Sequence, residues 1–232
     1  MMQPIAHHHC DLPSKFGLPR QSGFVSSLRS TIVFCPEYRR DDALRGLEEF
    51  SHIWLLWSFS ETPTDGGWSP TVRPPRCGGN VRKGVFATRS PFRPNRIGLS
   101  CVRLETIEFD TVYGPILHVS GADLMDGTPI FDIKPYIPET DCRPEASNGF
   151  VGQYKQQLLE VVLPEQLAAI LPADKQIPLV DLLAQDPRPA YHNDPERRYG
   201  FPYAGFEVSF RVEGTRLIVE QIVSVEDISP MS

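Results

Sequence analysis

The sequence predicts a mainly β protein: an antiparallel β-barrel followed by a small α+β C-terminal domain. Three observations carry this. Proline makes up 23 of the 232 residues, about twice its ordinary share, and proline is confined to turns, strand edges and helix starts. Up to about residue 148 the β-rich stretches are short and separated by Gly/Pro turns, seven or so in all, which is how an antiparallel barrel reads. After Asn148 the texture changes to helical spacing followed by one strand pair. The boundary is placed accordingly, with residues 1–146 as the barrel and 147–232 as the second unit.

The elements follow in order. Phe24 to Phe34 reads as a strand. Asp41 and Asp42 start a short amphipathic helix with Leu44, Leu47 and Phe50 on one face, its acidic start suited to the helix dipole. Ser51 to Ser60 is β-rich and almost continuously apolar, as expected of a central strand. A Pro/Gly-dense segment runs from Thr62 to Lys83, and Gly84 to Thr88 reads as a short strand. From Ile97 to Phe109 the residues alternate, with Gly98, Ser100, Val102 and Leu104 on one face. Ile116–Val119 and Ile130–Ile133 are further strands. Gln153 to Leu171 has helical spacing, with Pro164 opening a second helix, and Ile177 to Gln185 forms a third. Gly205–Val212 and Arg216–Val225 form a hairpin about Glu213-Gly214.

Composition excludes several classes. With 41% hydrophobic and 22% charged residues, the chain is neither disordered nor fibrous. No apolar run approaches the ~20 residues of a membrane span, and the first twenty residues lack a signal-peptide pattern. Five widely spaced cysteines without a C-x-x-C pair fit neither a disulfide framework nor a zinc cluster. No metal site and a cytoplasmic location are therefore expected. His7, His8 and His9 are consecutive, and on an extended strand they alternate faces, so they cannot converge on one ion.

The net charge of −6 argues by itself against a nucleic-acid partner, but the average hides the distribution. Residues 67–103 hold eight basic residues (Arg73, Arg76, Arg82, Lys83, Arg89, Arg93, Arg96 and Arg103) and no acid, leaving −14 on the remainder. Trp68, Phe86 and Phe92 interleave with them. Arginine with aromatics in Gly/Pro-rich loops is a composition suited to RNA, with a solvated charged face as the plainer reading. Gly78-Gly79 in this band offers backbone N–H groups to an anion, or simply a turn.

Within the band, G-V-F-A-T-R-S-P-F-R-P-N-R-I-G-L-S (Gly84 to Ser100) closely resembles the signature of the TsaA-like family, whose best-described bacterial members (TrmO) are tRNA methyltransferases. K-F-G-L-P-R-Q (Lys15 to Gln21), G-L-E-E-F-S-H-I-W-L-L (Gly46 to Leu56), V-R-P-P-R-C-G-G-N (Val72 to Asn80) and D-L-M-D-G-T-P-I-F-D-I-K-P-Y (Asp123 to Tyr136) resemble further family motifs. L-A-Q-D-P-R-P-A-Y (Leu183 to Tyr191) resembles the bacterial C-terminal extension. The resemblance spans nearly the whole chain. It implies a β-barrel enzyme, dependent on S-adenosylmethionine, that methylates N6 of N6-threonylcarbamoyladenosine at tRNA position 37, beside the anticodon. It also implies a homodimer. No G-x-G-x-x-G turn is present, consistent with a methyltransferase that is not of Rossmann type.

Carried over by position, the resemblance implies cofactor contacts at Pro19, Arg20, Gln21, Ser60, Glu61, Arg89 and Leu99, and along Asp123, Leu124, Asp126, Gly127 and Thr128. Ser60 departs from the family, which usually has histidine there. The cofactor carboxylate needs a cation, Arg20 or Arg89, and its ammonium or ribose hydroxyls an acid, Asp123 or Asp126. An adenine ring needs an apolar wall, available near Leu99 and Leu124. The target nitrogen is delocalised into a carbamoyl group, so a general base is expected. Asp132 and Lys134, two apart and so on one face of a strand, make Asp132-Ile133-Lys134-Pro135-Tyr136 the candidate catalytic strand; a structural ion pair is the equal alternative. RNA contacts are expected from Arg73, Arg76, Arg82, Lys83, Arg93 and Arg96, with one of Arg73, Arg76, Arg93 and Arg96 holding the threonine carboxylate. Arg188, Tyr191, Arg197 and Arg198 either extend the tRNA footprint or pack against the barrel. Two rivals stand beside this: a non-catalytic RNA-binding barrel, and a methyltransferase acting on a small molecule or protein.

Overall fold

The structure, a computed structural model, describes residues 2–62, 68–74, 81–153, 157–188, 194 and 196–228. Its strands are β1 (Ala6–His9), β2 (Arg29–Phe34), β3 (His52–Ser58), β4 (Thr71–Val72), β5 (Lys83–Gly84), β6 (Ile97–Glu108), β7 (Ile116–Ser120), β8 (Pro129–Pro135), β9 (Glu160–Val162), β10 (Tyr199–Tyr203), β11 (Phe206–Glu213) and β12 (Arg216–Ser224). The α-helices are α1 (Pro138–Asp141), α2 (Glu165–Ala168), α3 (Ala173–Ala184) and α4 (Val225–Ile228).

Six strands close into an antiparallel barrel in the order β1-β2-β7-β6-β3-β8. Alternation explains the closure. Ile53, Leu55 and Trp57 on β3, Val102 and Leu104 on β6, Leu117 and Val119 on β7 and Ile32 on β2 all turn inward and are buried. They fill the interior, so ligand space lies at the barrel's end and not along its axis. The greasy run at residues 51–60 is a barrel strand whose outward residues Trp54 and Leu56 are only half-buried.

A second core forms around the sheet β10-β11-β12-β9 and helix α3. Leu179, Leu182 and Leu183 of α3 meet Phe201, Tyr203, Val208 and Phe210 there. The predicted hairpin is present, with Glu213 opposite Arg216 and Gly214 at φ +58°, the left-handed backbone a two-residue turn needs. Leu12, Val25 and Leu28, from the loop between β1 and β2, are also buried in this core.

Four local expectations are corrected. The strand predicted from Phe24 begins only at Arg29, because residues 24–28 form a turn that delivers Val25 and Leu28 to the second core. The helix predicted at Asp41 is two 3-10 turns, Asp41–Leu44 and Leu47–Glu49, interrupted at Gly46 with φ +86°. At Gly84–Thr88 the strand stops after Gly84 and a 3-10 turn follows, burying Val85 and closed by the Thr88 hydroxyl on the Val85 carbonyl. Residues 157–163 are not helical: β9 pairs in parallel with β12, and Leu159, Val161 and Leu163 reach the core at a spacing of two. Pro164 does precede a helix, α2, as predicted.

His8 occupies an inward position of β1 and is fully buried. Its Nδ1 lies 3.2 Å from the Met125 carbonyl, and its Nε2 has no partner among the described residues. Burial, the dominant influence, pushes its pKa down to about 4. The unfolded chain therefore takes up a proton near pH 6.5 while the folded chain resists until about pH 4. His8 is largely neutral in both states at pH 7, so its titration contributes little there, but stability falls as pH drops through that window, by about 3 kcal/mol in full. Thermal unfolding between pH 7 and pH 4 checks this; His8→Gln removes that part of the loss.

Candidate active site

A cavity of about 660 Å³ opens at the barrel end where β3 finishes and β6 begins. Five segments line it: the loop after β1 (Lys15 to Gln21), the end of β3 (Trp57 to Thr62), the turn Thr88–Arg93, the start of β6 and the loop between β7 and β8.

Register builds its floor. Trp57 on β3 lies directly opposite Gly98 on β6, and a Cβ at Gly98 would come within 2.2 Å of the indole. The bare glycine is the space in which the ring lies, with Phe59 edge-on at 4.3 Å. Trp57 Nε1 donates to Ser100 Oγ at 3.0 Å, and Ser100 Oγ donates to Asp123 Oδ1 at 2.5 Å. Asp123 is thus fixed at the cavity wall. Desolvation raises its pKa, opposed by the Ser100 hydrogen bond, by backbone N–H groups including that of Ser22, and by Arg89.

The β1–β2 loop forms one side. Arg89 donates to Gln21 Oε1, and Gln21 Nε2 donates to the Arg20 carbonyl at 2.5 Å. Arg20 lines the cavity, but its guanidinium donates to the Asp186 carbonyl at 2.6 Å. Lys15 donates to the Glu61 carbonyl across the rim. Leu18, Pro19, Trp54, Phe59 and Leu99 give apolar walls, and Leu99 is 55% exposed.

Of the residues expected to contact a cofactor, Pro19, Arg20, Gln21, Ser60, Glu61, Arg89, Leu99, Asp123 and Thr128 line this one cavity. Leu124 turns into the barrel core. Asp126 accepts from the Cys10 N–H at 3.1 Å and lies 3.3 Å from His9, and Gly127 takes φ +74°; neither lines the cavity. Sequence reasoning did not single out Trp57, Gly98, Trp54 or Met125. The signal for the first two was the pairing of a bulky inward residue with a glycine on the neighbouring strand.

Asp132 and Lys134 form an ion pair of 2.9 Å on the outside of the barrel, both partly solvent-exposed. Tyr136 packs against Trp54 at 5.6 Å between ring centres. None of the three lines the cavity, although their neighbour Trp54 does.

The basic residues divide. Arg73 and Arg82 are exposed, Arg82 donating to Thr71 Oγ1 at 3.3 Å. Lys83 lies over the Phe150 ring at 4.8 Å. Arg93 donates to the Val85 and Thr88 carbonyls and sits 5.8 Å from the Phe86 ring centre. Arg96 donates to the Thr62 carbonyl at 2.7 Å. Arg76 and Gly78-Gly79 lie outside the described residues, as does Tyr191. A second hollow, about 820 Å³, adjoins the cavity through Ser58, Arg93 and Ile97, with Trp68 and Arg96 on its wall. Trp68 stacks on Phe86, which is 72% exposed. In the C-terminal unit Arg197 lies over Tyr199 and Arg198 pairs with Glu220.

A closed barrel with an apolar-walled cavity holding a half-buried carboxyl, edged by arginines and exposed aromatic rings, is the arrangement of a site for a small polar-ended ligand. Comparison with known proteins agrees. The profile for the tRNA-methyltransferase O N-terminal domain matches residues 7–142, and that for the TrmO C-terminal domain matches residues 156–225. A tRNA (adenine(37)-N6)-methyltransferase of Escherichia coli K12 is 44% identical over 208 residues, 85% of this chain and 87% of that protein. One of Eikenella corrodens is 46% identical over 177 residues, 76% of this chain and 99% of that protein. The crystal structure of TrmO from Pseudomonas aeruginosa superposes with a TM-score of 0.76 at 32% identity, covering 97% of this chain and 98% of that one. The chain belongs to the tRNA-methyltransferase O family.

Proposed function

We propose that this protein transfers a methyl group from S-adenosylmethionine to N6 of N6-threonylcarbamoyladenosine at tRNA position 37, as a homodimer in the cytoplasm. The observation that carries the reading is the cavity. It draws together residues as distant in sequence as Pro19, Glu61, Arg89 and Asp123, with a volume in the usual range for cofactor sites.

The residues present fit that cofactor, which when bound supplies a methyl group activated on a sulfonium sulfur. Asp123, half-buried at the wall and held by Ser100, is placed for the ammonium or the ribose hydroxyls. Arg89, exposed at the cavity and holding Gln21, is placed for the carboxylate, whereas the half-buried Arg20 guanidinium faces the Asp186 carbonyl. Pro19, Phe59 and Leu99 give an adenine ring its apolar wall. The chain's main contribution is to hold the reactants in line and exclude water.

The adjoining hollow, with Arg93 and Arg96 beside Trp68, suits a nucleoside that carries a carboxylate. Arg73, Arg82 and Lys83 extend the basic surface over which phosphates would run. Exposed Ile97 and Leu99 on the outer face of β6 support a second copy as partner. The division at residues 146/147 is proposed with one qualification from the cores: the loop after β1 serves both units.

Asp132 is proposed to assist removal of the N6 proton, with its ion pair to Lys134 as the alternative role. Asp132→Asn separates the two. As a base its loss lowers kcat on the order of 100-fold with cofactor affinity unchanged. As a surface ion pair its loss changes stability by less than about 1 kcal/mol and leaves turnover intact.

Equilibrium titration with S-adenosylmethionine tests the reading as a whole. Saturable 1:1 binding per chain is expected; a barrel that only binds RNA shows none.

A further inference from the structure

The sequence motif Gln185-Asp186-Pro187-Arg188 ends helix α3, and its geometry reaches the cavity from the opposite unit. Asp186 stands just past the helix with φ +53°, where glycine is the usual residue. Its N–H donates to the Leu183 carbonyl. Glycine would serve the helix end equally well; what aspartate adds is a carboxylate. That carboxylate receives both Nε and Nη2 of Arg188, at 2.8 and 3.0 Å, a planar fork that fixes orientation as well as distance. The Arg188 side chain is only 12% exposed. With the residue so held, the Asp186 carbonyl accepts from Arg20 Nη2 at 2.6 Å.

Arg20 lies between Pro19 and Gln21 in the loop that lines the cavity. The same loop is seated on the C-terminal core at other points. Leu12, Val25 and Leu28 are buried there, and Asp11 pairs with Lys175 at 2.6 Å. Gly17, at φ +95°, lies so close beneath the Phe201 ring that a Cβ would meet it at 2.5 Å. The loop is therefore shaped by the C-terminal unit, and its last fixed point before the cavity is Arg20.

We propose that Asp186 and Arg188 are positioning residues for the cofactor loop: the fork holds the Asp186 carbonyl, the carbonyl holds Arg20, and Arg20 sets Pro19 and Gln21 against the ligand. The proposal rests on the cofactor reading above and assigns Arg188 a role other than tRNA contact. The C-terminal unit is then part of the methyl-donor site and not only an outer surface for RNA.

Binding of S-adenosylhomocysteine to the full-length protein by calorimetry, with tRNA affinity and melting temperature measured alongside, tests it. Arg188→Ala and Asp186→Ala are expected to raise the S-adenosylhomocysteine Kd about tenfold, while tRNA affinity of the ligand-free protein changes less than about twofold. Asp186→Asn, which tolerates positive φ and keeps one acceptor for the fork, is expected to retain most of the affinity. The route is tested by combination: in an Arg20→Met background, Arg188→Ala is expected to have no further effect. Independent, multiplying effects overturn the proposal, as does a loss confined to tRNA affinity. Wild-type protein with no saturable binding overturns the cofactor reading itself. Wild-type binding retained by a folded Arg188→Ala and Asp186→Ala pair overturns this proposal alone.

Discussion

Gly98→Ala is expected to disable ligand binding while leaving the barrel closed. The added methyl would occupy the space of the Trp57 indole, 2.2 Å from the nearest ring atom. The two residues face each other in the unbroken β3–β6 register, so the ring is the part expected to move. Overpacking of this kind costs about 2 kcal/mol, a drop in melting temperature on the order of 5 °C for a chain of this size. The larger effect is on the site. Moving Trp57 withdraws its hydrogen bond from Ser100, and with it the support of Asp123. A loss of cofactor affinity of about tenfold or more is expected, read by titration of the folded variant. Gly84→Ala is the control, because a Cβ there meets nothing within 4 Å.

Asp123→Asn is expected to have the second large effect. The substitution keeps shape but removes a charge from a half-buried wall. A hydrogen bond to a charged group contributes about 1.5–3 kcal/mol, so cofactor affinity falls by about 10- to 100-fold. The pH dependence identifies the group. Desolvation holds the Asp123 carboxyl above the usual carboxylate pKa, so its charge is lost earlier as pH falls than that of an ordinary aspartate. Wild-type affinity should therefore decline on acidification before exposed carboxylates titrate, and the Asn variant should lack that decline. Protonation of His8 destabilises the chain in the same direction, so the titration belongs in the His8→Gln background.

The barrel was legible because its strands obey the period-2 rule. Gly98, Ser100, Val102 and Leu104 were read as one face of a strand and are the inward face of β6. The β11–β12 hairpin was legible from its turn. Residues 24–28 and 157–163 were misread because their apolar side chains serve a core assembled from distant segments, which local periodicity cannot reveal. Val25 and Leu28 look like strand residues until the C-terminal sheet is there to receive them.

The cavity was half legible. The family resemblance located Arg89, Asp123 and the loop at Pro19, and the fold brings them together. Trp57 and Gly98 escaped notice because their meaning lies in cross-strand register, 41 positions apart in sequence and directly opposed in the barrel. Similarly, Arg93 and Arg96 read as RNA contacts by composition, yet Arg93 also ties the Val85 and Thr88 carbonyls together and Arg96 holds the Thr62 carbonyl. Their substitution will affect loop order as well as charge.

Methyl transfer itself tests the central claim most directly. Full-length protein, S-adenosylmethionine labelled in the methyl group, and one tRNA prepared with and without the threonylcarbamoyl group at position 37 are incubated, and the product nucleosides are separated by mass. Label on N6 of the threonylcarbamoylated adenosine alone is the expected result. Label in neither RNA, or equal label in both, contradicts it.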